Sequence, residues 1–208
     1  MTLKGGTAMA IKFKQLIQAR QALKTSKNLG DFAILKADAF GAKVNPEIAS
    51  KLQPLVGCHP LIDLEELSHY RKSSFGWEYA HHMKVNHLKP FNVSPELEEI
   101  AKRNVFALRY AVTHDIFHVL LGFDTSYAGE IGVLAFAAEQ NYSSSLKVSL
   151  SLATVLYPVV APSQIKEIFA HLRKGQELGK KAEFLLGFRF EDYWERPLSE
   201  VKAMLGLT

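Results

Sequence analysis

The stretch "THDIFHVLLGFDTSYAGE", residues 113–130, sets four candidate metal ligands among apolar residues. His114, Asp115 and His118 come first, and Glu130 follows a turn-forming segment. On a helix turning about 100° per residue, the first three share an arc about 100° wide. His114 and His118 stand one turn apart, the spacing at which two imidazoles converge on one ion. Ala111 lies in the same arc and leaves room over it. Between Tyr110 and Leu121 the only charged residue is Asp115, set among Val112, Ile116, Phe117, Val119 and Leu120. A helix that is apolar nearly all round is normally buried. A lone carboxylate there is costly, and a bound cation offsets the cost.

Gly122 is suited to end this helix, and Asp124, Thr125 and Ser126 supply N-cap choices for the next. The pattern predicts a helical hairpin with Glu130 about one turn into its second arm, on the face of Val133, Leu134 and Ala137. Gly129, Gly132, Ala135 and Ala138 are small enough for close helix approach. A lone HxxxH pair is explained equally well by two buried histidines bonding to carbonyls. Asp115 between them and Glu130 beyond the turn favour a metal site held by His114, Asp115, His118 and Glu130. Zinc suits such ligands, and the same set holds iron or manganese. With one carboxylate outside the coordination shell, the rest form a two-histidine, one-carboxylate face able to support redox chemistry at iron. A hydrolase of the HExxH kind fits less well, because Asp115 is one methylene shorter than the glutamate base it would replace.

The chain has 208 residues, of which 48% are hydrophobic, enough for a sizeable core. No repeat, low-complexity tract or linker divides it, so residues 1–208 are expected to form a single helical domain. Helical periodicity predicts an all-α multi-helix bundle, with helices near 11–25, 31–40, 46–54, 63–70, 76–84, 95–121, 126–141, 146–157, 163–174 and 197–204. Ser94, Pro95 and Glu96 mark the start of the 95–121 helix, and residues 184–194 read as extended.

One cysteine, Cys58, excludes an internal disulfide and fits a reducing compartment. The net charge is +4, yet Lys4, Lys12, Lys14, Arg20, Lys24 and Lys27 precede the first acid, Asp31. Basicity is therefore local, which argues against a nucleic-acid surface. Residues 1–30 are compatible with a membrane-surface helix, a targeting segment or an ordinary first helix with a basic face. The uncharged run "VSLSLATVLYPVVAPSQI" between Lys147 and Lys166 is 18 residues long, short of a span and broken by Pro158 and Pro162. It reads as a buried or lipid-facing helix. His171, Arg173, Lys174, Lys180 and Lys181 read as a solvated face before an anion site. His81 and His82 are adjacent and diverge on a helix, so neither is counted as a ligand.

At these residues the sequence resembles the family of coenzyme Q (ubiquinone) biosynthesis protein four, whose HDxxH, eleven-residue spacer and glutamate are met by His114, Asp115, His118 and Glu130. "RYAVTHDIFHVLLG" and "AGEIGVLAF" resemble the family's central region, and "FEDYWERPLSEVKAMLGL", with Trp194 and Glu195, its closing segment. "SHYRKSSFG" departs from the family's shorter turn. The resemblance implies a helical fold with a divalent metal (often described as zinc) at those four positions. It also implies peripheral membrane contact, a tunnel for a polyprenyl lipid or quinone precursor, and homodimers or assemblies with other quinone biosynthetic enzymes. The implied location is cytoplasmic or on the inner face of a membrane, the mitochondrial inner membrane in a eukaryote. Two roles follow. One is an enzyme for oxidative decarboxylation at ring carbon one, which requires iron, manganese or cobalt. The other is a non-catalytic prenyl-lipid scaffold with a structural zinc. No catalytic residue beyond the metal ligands is assigned.

Overall fold

Capping residues set where the helices begin. Asp63 accepts from the backbone N–H groups of Glu65 and Glu66 at 2.9 and 3.1 Å, Ser74 from Trp77 at 3.3 Å, and Ser126 from Gly129 at 3.2 Å. Each bond satisfies a donor that the first helical turn leaves unpaired. The computed structural model describes residues 35, 44–58, 62–91 and 98–208. Its helices are α1 (Pro46–Leu52), α2 (Leu64–Ser68), α3 (Phe75–Val85), α4 (Glu98–Arg103), α5 (Val105–Leu121), α6 (Tyr127–Glu139), α7 (Ser144–Val160), α8 (Ile165–Lys181) and α9 (Leu198–Met204). The described residues form no strand, only isolated bridges between Val44 and Ser143 and between Ser74 and Pro197. The architecture is all-α, as the periodicity predicts.

Three boundaries differ from expectation. The helix expected over 95–121 is two helices, because Asn104 leaves helical geometry and its side chain caps Ala107 N–H at 3.1 Å. Asparagine bonds nearby backbone readily, which favours a cap over a helix interior. Residues 184–194 are not extended: they form 3-10 turns at Leu185–Gly187 and Phe190–Tyr193, with Leu185, Leu186 and Phe190 buried. The helix expected to stop at 174 runs on to Lys181. The proposed start at Ser94 and Pro95, and the helices near 11–25 and 31–40 apart from Leu35, lie outside the described residues.

The core gathers around Phe117 of α5. Its ring meets Phe136 of α6 at 5.9 Å and Phe190 at 6.2 Å, and Phe190 meets Phe75 of α3 at 6.2 Å. The C-terminal segment is laced to the start of α3 by Phe75 N–H to Arg196 O (2.7 Å) and Gly76 N–H to Trp194 O (2.8 Å). Trp194 packs on Phe75 with centroids 4.7 Å apart, the anchoring role its size predicts. Arg109, fully buried on α5, donates to Phe188 O at 2.8 Å and faces Glu191 at 3.8 Å; Glu191 also accepts the Cys58 thiol at 3.2 Å. The ligand-bearing helix is thus held by α3 and by the C-terminal segment.

Small residues place α8 against α6. A Cβ on Gly175 would overlap the carbonyl oxygen of Gly132, and one on Gly179 would crowd Phe136 O at 2.9 Å. The uncharged run becomes α7, which passes through Pro158 to Val160 and leaves Val148, Leu152, Val155, Leu156, Val159 and Val160 exposed. Among the described residues no single helix is long and apolar enough to cross a membrane; α7 and the following Pro162–Lys181 segment meet at a 112° bend.

Candidate metal centre

Gly122 ends α5 in the left-handed conformation (φ 67°), which costs glycine nothing, and its N–H caps His118 O at 3.0 Å. Five residues later α6 starts, and its first turn carries Glu130 back against α5. The hairpin brings three donors together: one nitrogen each from His114 and His118 and a Glu130 oxygen lie within 4.8 Å of one another. His114 Nε2 is 3.5 Å from one Glu130 oxygen and His118 Nε2 is 3.4 Å from the other. Two ligands bound at zinc-like distances on a tetrahedral centre stand about 3.3 Å apart. The observed gaps are too wide for strong direct hydrogen bonds and match that edge.

The opposite sides of both rings are held. His118 Nδ1 meets Phe123 O at 3.2 Å, and His114 Nδ1 faces Asp115 Oδ1 at 3.6 Å. A carbonyl or carboxylate on Nδ1 keeps the proton there and turns the Nε2 lone pair toward the site. His118 Nε2 is itself buried without a hydrogen-bond partner among the described residues. A divalent cation satisfies that orphan, so the residues fit a metal. The four expected ligands therefore divide: His114, His118 and Glu130 converge, while Asp115 stands behind His114. His118 is fully buried, but His114 and Glu130 keep 26% and 36% of their side-chain surface, so the cluster is reachable from one side.

The surroundings set the protonation of these donors. Burial disfavours a charged His114, but Asp115 and Glu130 outweigh it and raise its pKa from 6.5 to about 9. Burial alone would raise Glu130; the close His114 and His118 imidazoles prevail and lower it from 4.5 to about 2. Burial, then Glu130, pushes up the phenols of Tyr110 and Tyr157, which remain protonated donors beside the carboxylate.

Two residues near the centre lack any signal in the motif. Tyr157 comes from α7. His82 comes from α3, and its ring stacks over His118 with centroids 5.8 Å apart. The adjacent histidines do diverge, but only His81 turns out, stacking on Trp77 at 4.9 Å, while His82 turns in. His171 packs on Phe123 at 4.9 Å behind the turn, and Lys174 lies over the same ring. The cavity of ≈ 450 Å³ lined by Tyr70, Glu191, Trp194 and Arg196 belongs to the C-terminal segment and lies apart from the three donors.

The sequence profile of the coenzyme Q (ubiquinone) biosynthesis protein Coq4 matches residues 51–208, which include all four motif positions. The chain belongs to the Coq4 family. It is similar to the bovine ubiquinone biosynthesis protein COQ4 homolog, mitochondrial: 31% identical over 180 residues, covering 84% of this chain and 63% of that protein. The human homologue is 30% identical over 172 residues, covering 79% and 62%. The chain thus spans less than two thirds of the length of these mammalian Coq4 relatives. The Nematostella vectensis homologue is 28% identical and covered to 82% of its length. The crystal structure of a Nostoc punctiforme protein ascribed to ubiquinone biosynthesis shares the fold, with a TM-score of 0.67 at 22% identity over 94% of this chain and 96% of that one.

Proposed function

We propose that this chain acts in ubiquinone biosynthesis as a metal-dependent enzyme on the carboxylated phenol head group of a polyprenylated precursor, replacing the carboxyl at ring carbon one by a hydroxyl. The observation that carries this reading is the convergence of His114, His118 and Glu130 within 4.8 Å. A divalent ion bound there supplies a Lewis-acid position for substrate oxygens and, as iron, manganese or cobalt, redox capacity. The overall change is a two-electron oxidation that balances when the ring carboxyl leaves as carbon dioxide, water supplies the hydroxyl oxygen and dioxygen is reduced to hydrogen peroxide; zinc has no redox chemistry to offer it.

The chain's own residues have distinct tasks. Asp115 and the Phe123 carbonyl hold the two imidazoles in one tautomer and orientation. Tyr110 and Tyr157, kept protonated by burial and by the charge of Glu130, are the hydroxyl donors that this reading assigns to an anionic head group. The exposed stripe of α7 offers Val148, Leu152, Val155 and Val159 to the lipid surface in which a prenyl tail dissolves, and Tyr157 links that helix to the site. This supports peripheral membrane contact, on the mitochondrial inner membrane if the source is eukaryotic; the names of the mammalian relatives say mitochondrial. The same stripe favours a second reading: a prenyl-lipid scaffold with a structural zinc, whose α7 meets another biosynthetic protein or a second copy.

Elemental analysis with lipid mass spectrometry on the purified protein comes first. Turnover of a carboxylated polyprenyl phenol is then measured with iron, manganese or cobalt. The enzyme reading expects turnover that His118→Ala abolishes while helicity survives. Turnover unaffected by His118→Ala removes the metal from the reaction; no turnover with any of the metals, alongside bound zinc and isoprenoid, leaves the scaffold.

A further inference from the structure

His82 sits one turn before the end of α3, its ring nearly parallel to that of His118 (18° between planes). Asn86 fixes its tautomer. The Asn86 amide nitrogen donates to the His82 carbonyl at 2.8 Å and faces His82 Nδ1 at 3.4 Å, while Asn86 Oδ1 accepts from Thr125 Oγ1 at 3.1 Å. An amide nitrogen only donates, so Nδ1 is the bare nitrogen and Nε2 carries the hydrogen. That Nε2–H is buried and has no acceptor among the described residues. Its electrostatic neighbours are His118, Asp115, His114 and His81, three of them from the hairpin. An unpaired buried donor is costly, and functional sites are where such donors are kept for a ligand.

We propose that His82 Nε2–H donates a hydrogen bond to an oxygen of an anionic ligand, a carboxylate or phenolate, held at the His114–His118–Glu130 centre. The inference rests on the metal reading above and adds a residue outside the motif to substrate recognition. His82 is not itself a metal ligand. Its ring lies nearly parallel to that of His118 with centroids 5.8 Å apart, and the ligand atoms that gather within 4.8 Å of one another are those of His114, His118 and Glu130. Its place is beside the ion's ligands.

The test uses the full chain loaded with cobalt(II), whose visible spectrum reports coordination, and benzoate as the probe anion. Wild type is expected to bind cobalt and to change its spectrum on benzoate addition. His82→Phe keeps a flat ring over His118 and removes the donor. It should hold cobalt within about twofold of wild type and bind benzoate about tenfold more weakly, the loss of one hydrogen bond to a charged group. His82→Gln restores an N–H and should recover part of that affinity; His82→Leu replaces the Phe variant if a thermal melt shows it misfolded. Equal benzoate affinity in wild type and His82→Phe overturns the proposal. So does a spectrum of cobalt-loaded wild type that benzoate leaves unchanged. A large loss of cobalt affinity in His82→Phe overturns it differently, by making His82 a ligand. Failure of wild type to bind cobalt removes the metal reading itself.

Discussion

Helices α6 and α7 follow one another and are both rich in apolar residues, yet they face opposite ways. On α6, Ile131, Val133, Ala135, Phe136 and Ala137 are wholly buried; on α7, Val155 and Val159 are 68% and 75% exposed. The difference lies in their neighbours. Gly132 and Ala135 on α6 meet Gly175 on α8, so α6 is enclosed between α5 and α8. Within α7 Leu146 and Ala153 are buried and Leu150 and Tyr157 pack half-buried against the core, while Val148, Leu152, Val155, Leu156, Val159 and Val160 stand exposed. Apolar content alone does not tell a core helix from one that keeps an apolar stripe exposed. Small residues that admit a second backbone do.

Substitutions on α6 and on the α8 face that covers it break or confirm the first half of that contrast. Val133→Asp puts an unpaired carboxylate into the α6 core and should cost about 4 kcal/mol, read from a denaturant midpoint. A melt close to wild type would mean that α6 is not enclosed. Gly175→Val tests the enclosure from the α8 side. Its Cβ meets backbone (the Gly132 carbonyl), which no rotamer change relieves, so a loss of about 3 kcal/mol is expected.

The same contrast marks what was legible in the sequence. The all-α class, the hairpin and the converging His114, His118 and Glu130 follow from local chemistry: a 3.6-residue period, a glycine stop and a serine cap. Asp115 was legible as a member of the site but not its place, because a wheel gives direction around the axis and not which imidazole nitrogen a neighbour meets. The split at Asn104 depends on a side-chain bond competing with helix continuation. The 3-10 turns over 184–194 depend on burying Leu185, Leu186 and Phe190 against distant helices. His82 lies 32 residues before His114, so only tertiary packing brings it to His118.

Asp115 sharpens the comparison at the point where α6 meets α5. If it orients His114 without binding the ion, Asp115→Asn should weaken metal affinity about 10- to 100-fold and leave binding measurable. Loss as complete as in His118→Ala would make it a ligand.

The pH dependence probes the same contact. The His114 pKa is raised to about 9, so its contribution to folding is full below 6.5 and lost as pH rises through 9. The Glu130 pKa is lowered to about 2, so its contribution is present above 4.5 and lost as pH falls through 2. The metal-free protein should therefore keep this pair intact between about pH 4.5 and 6.5 and melt earlier on either side. An ion must displace the His114 proton, so its affinity should rise toward pH 9 while the metal-free protein weakens. A gap between holo and apo melting temperatures that does not widen over that limb would show that no proton leaves.

The smallest effect on stability belongs to α7, where it says the most about function. Val155→Asp with Val159→Asp places two charges on side chains already in solvent, so the denaturant midpoint should move by no more than about 0.5 kcal/mol. If α7 rests in lipid, those two side chains contribute about 1.5 kcal/mol each to partitioning. Sedimentation with anionic phospholipid vesicles should then fall by about a hundredfold in the double variant, since each 1.4 kcal/mol is tenfold. Leu152 and Val148, about one and two turns before Val155, extend the same stripe and should give the same result when paired. Unchanged vesicle binding, with a shift in oligomeric state instead, would assign the stripe to a second copy of the chain. In that case the apolar surplus of α7 serves the same end as that of α6, burial against protein, but in an interface that a single chain does not contain.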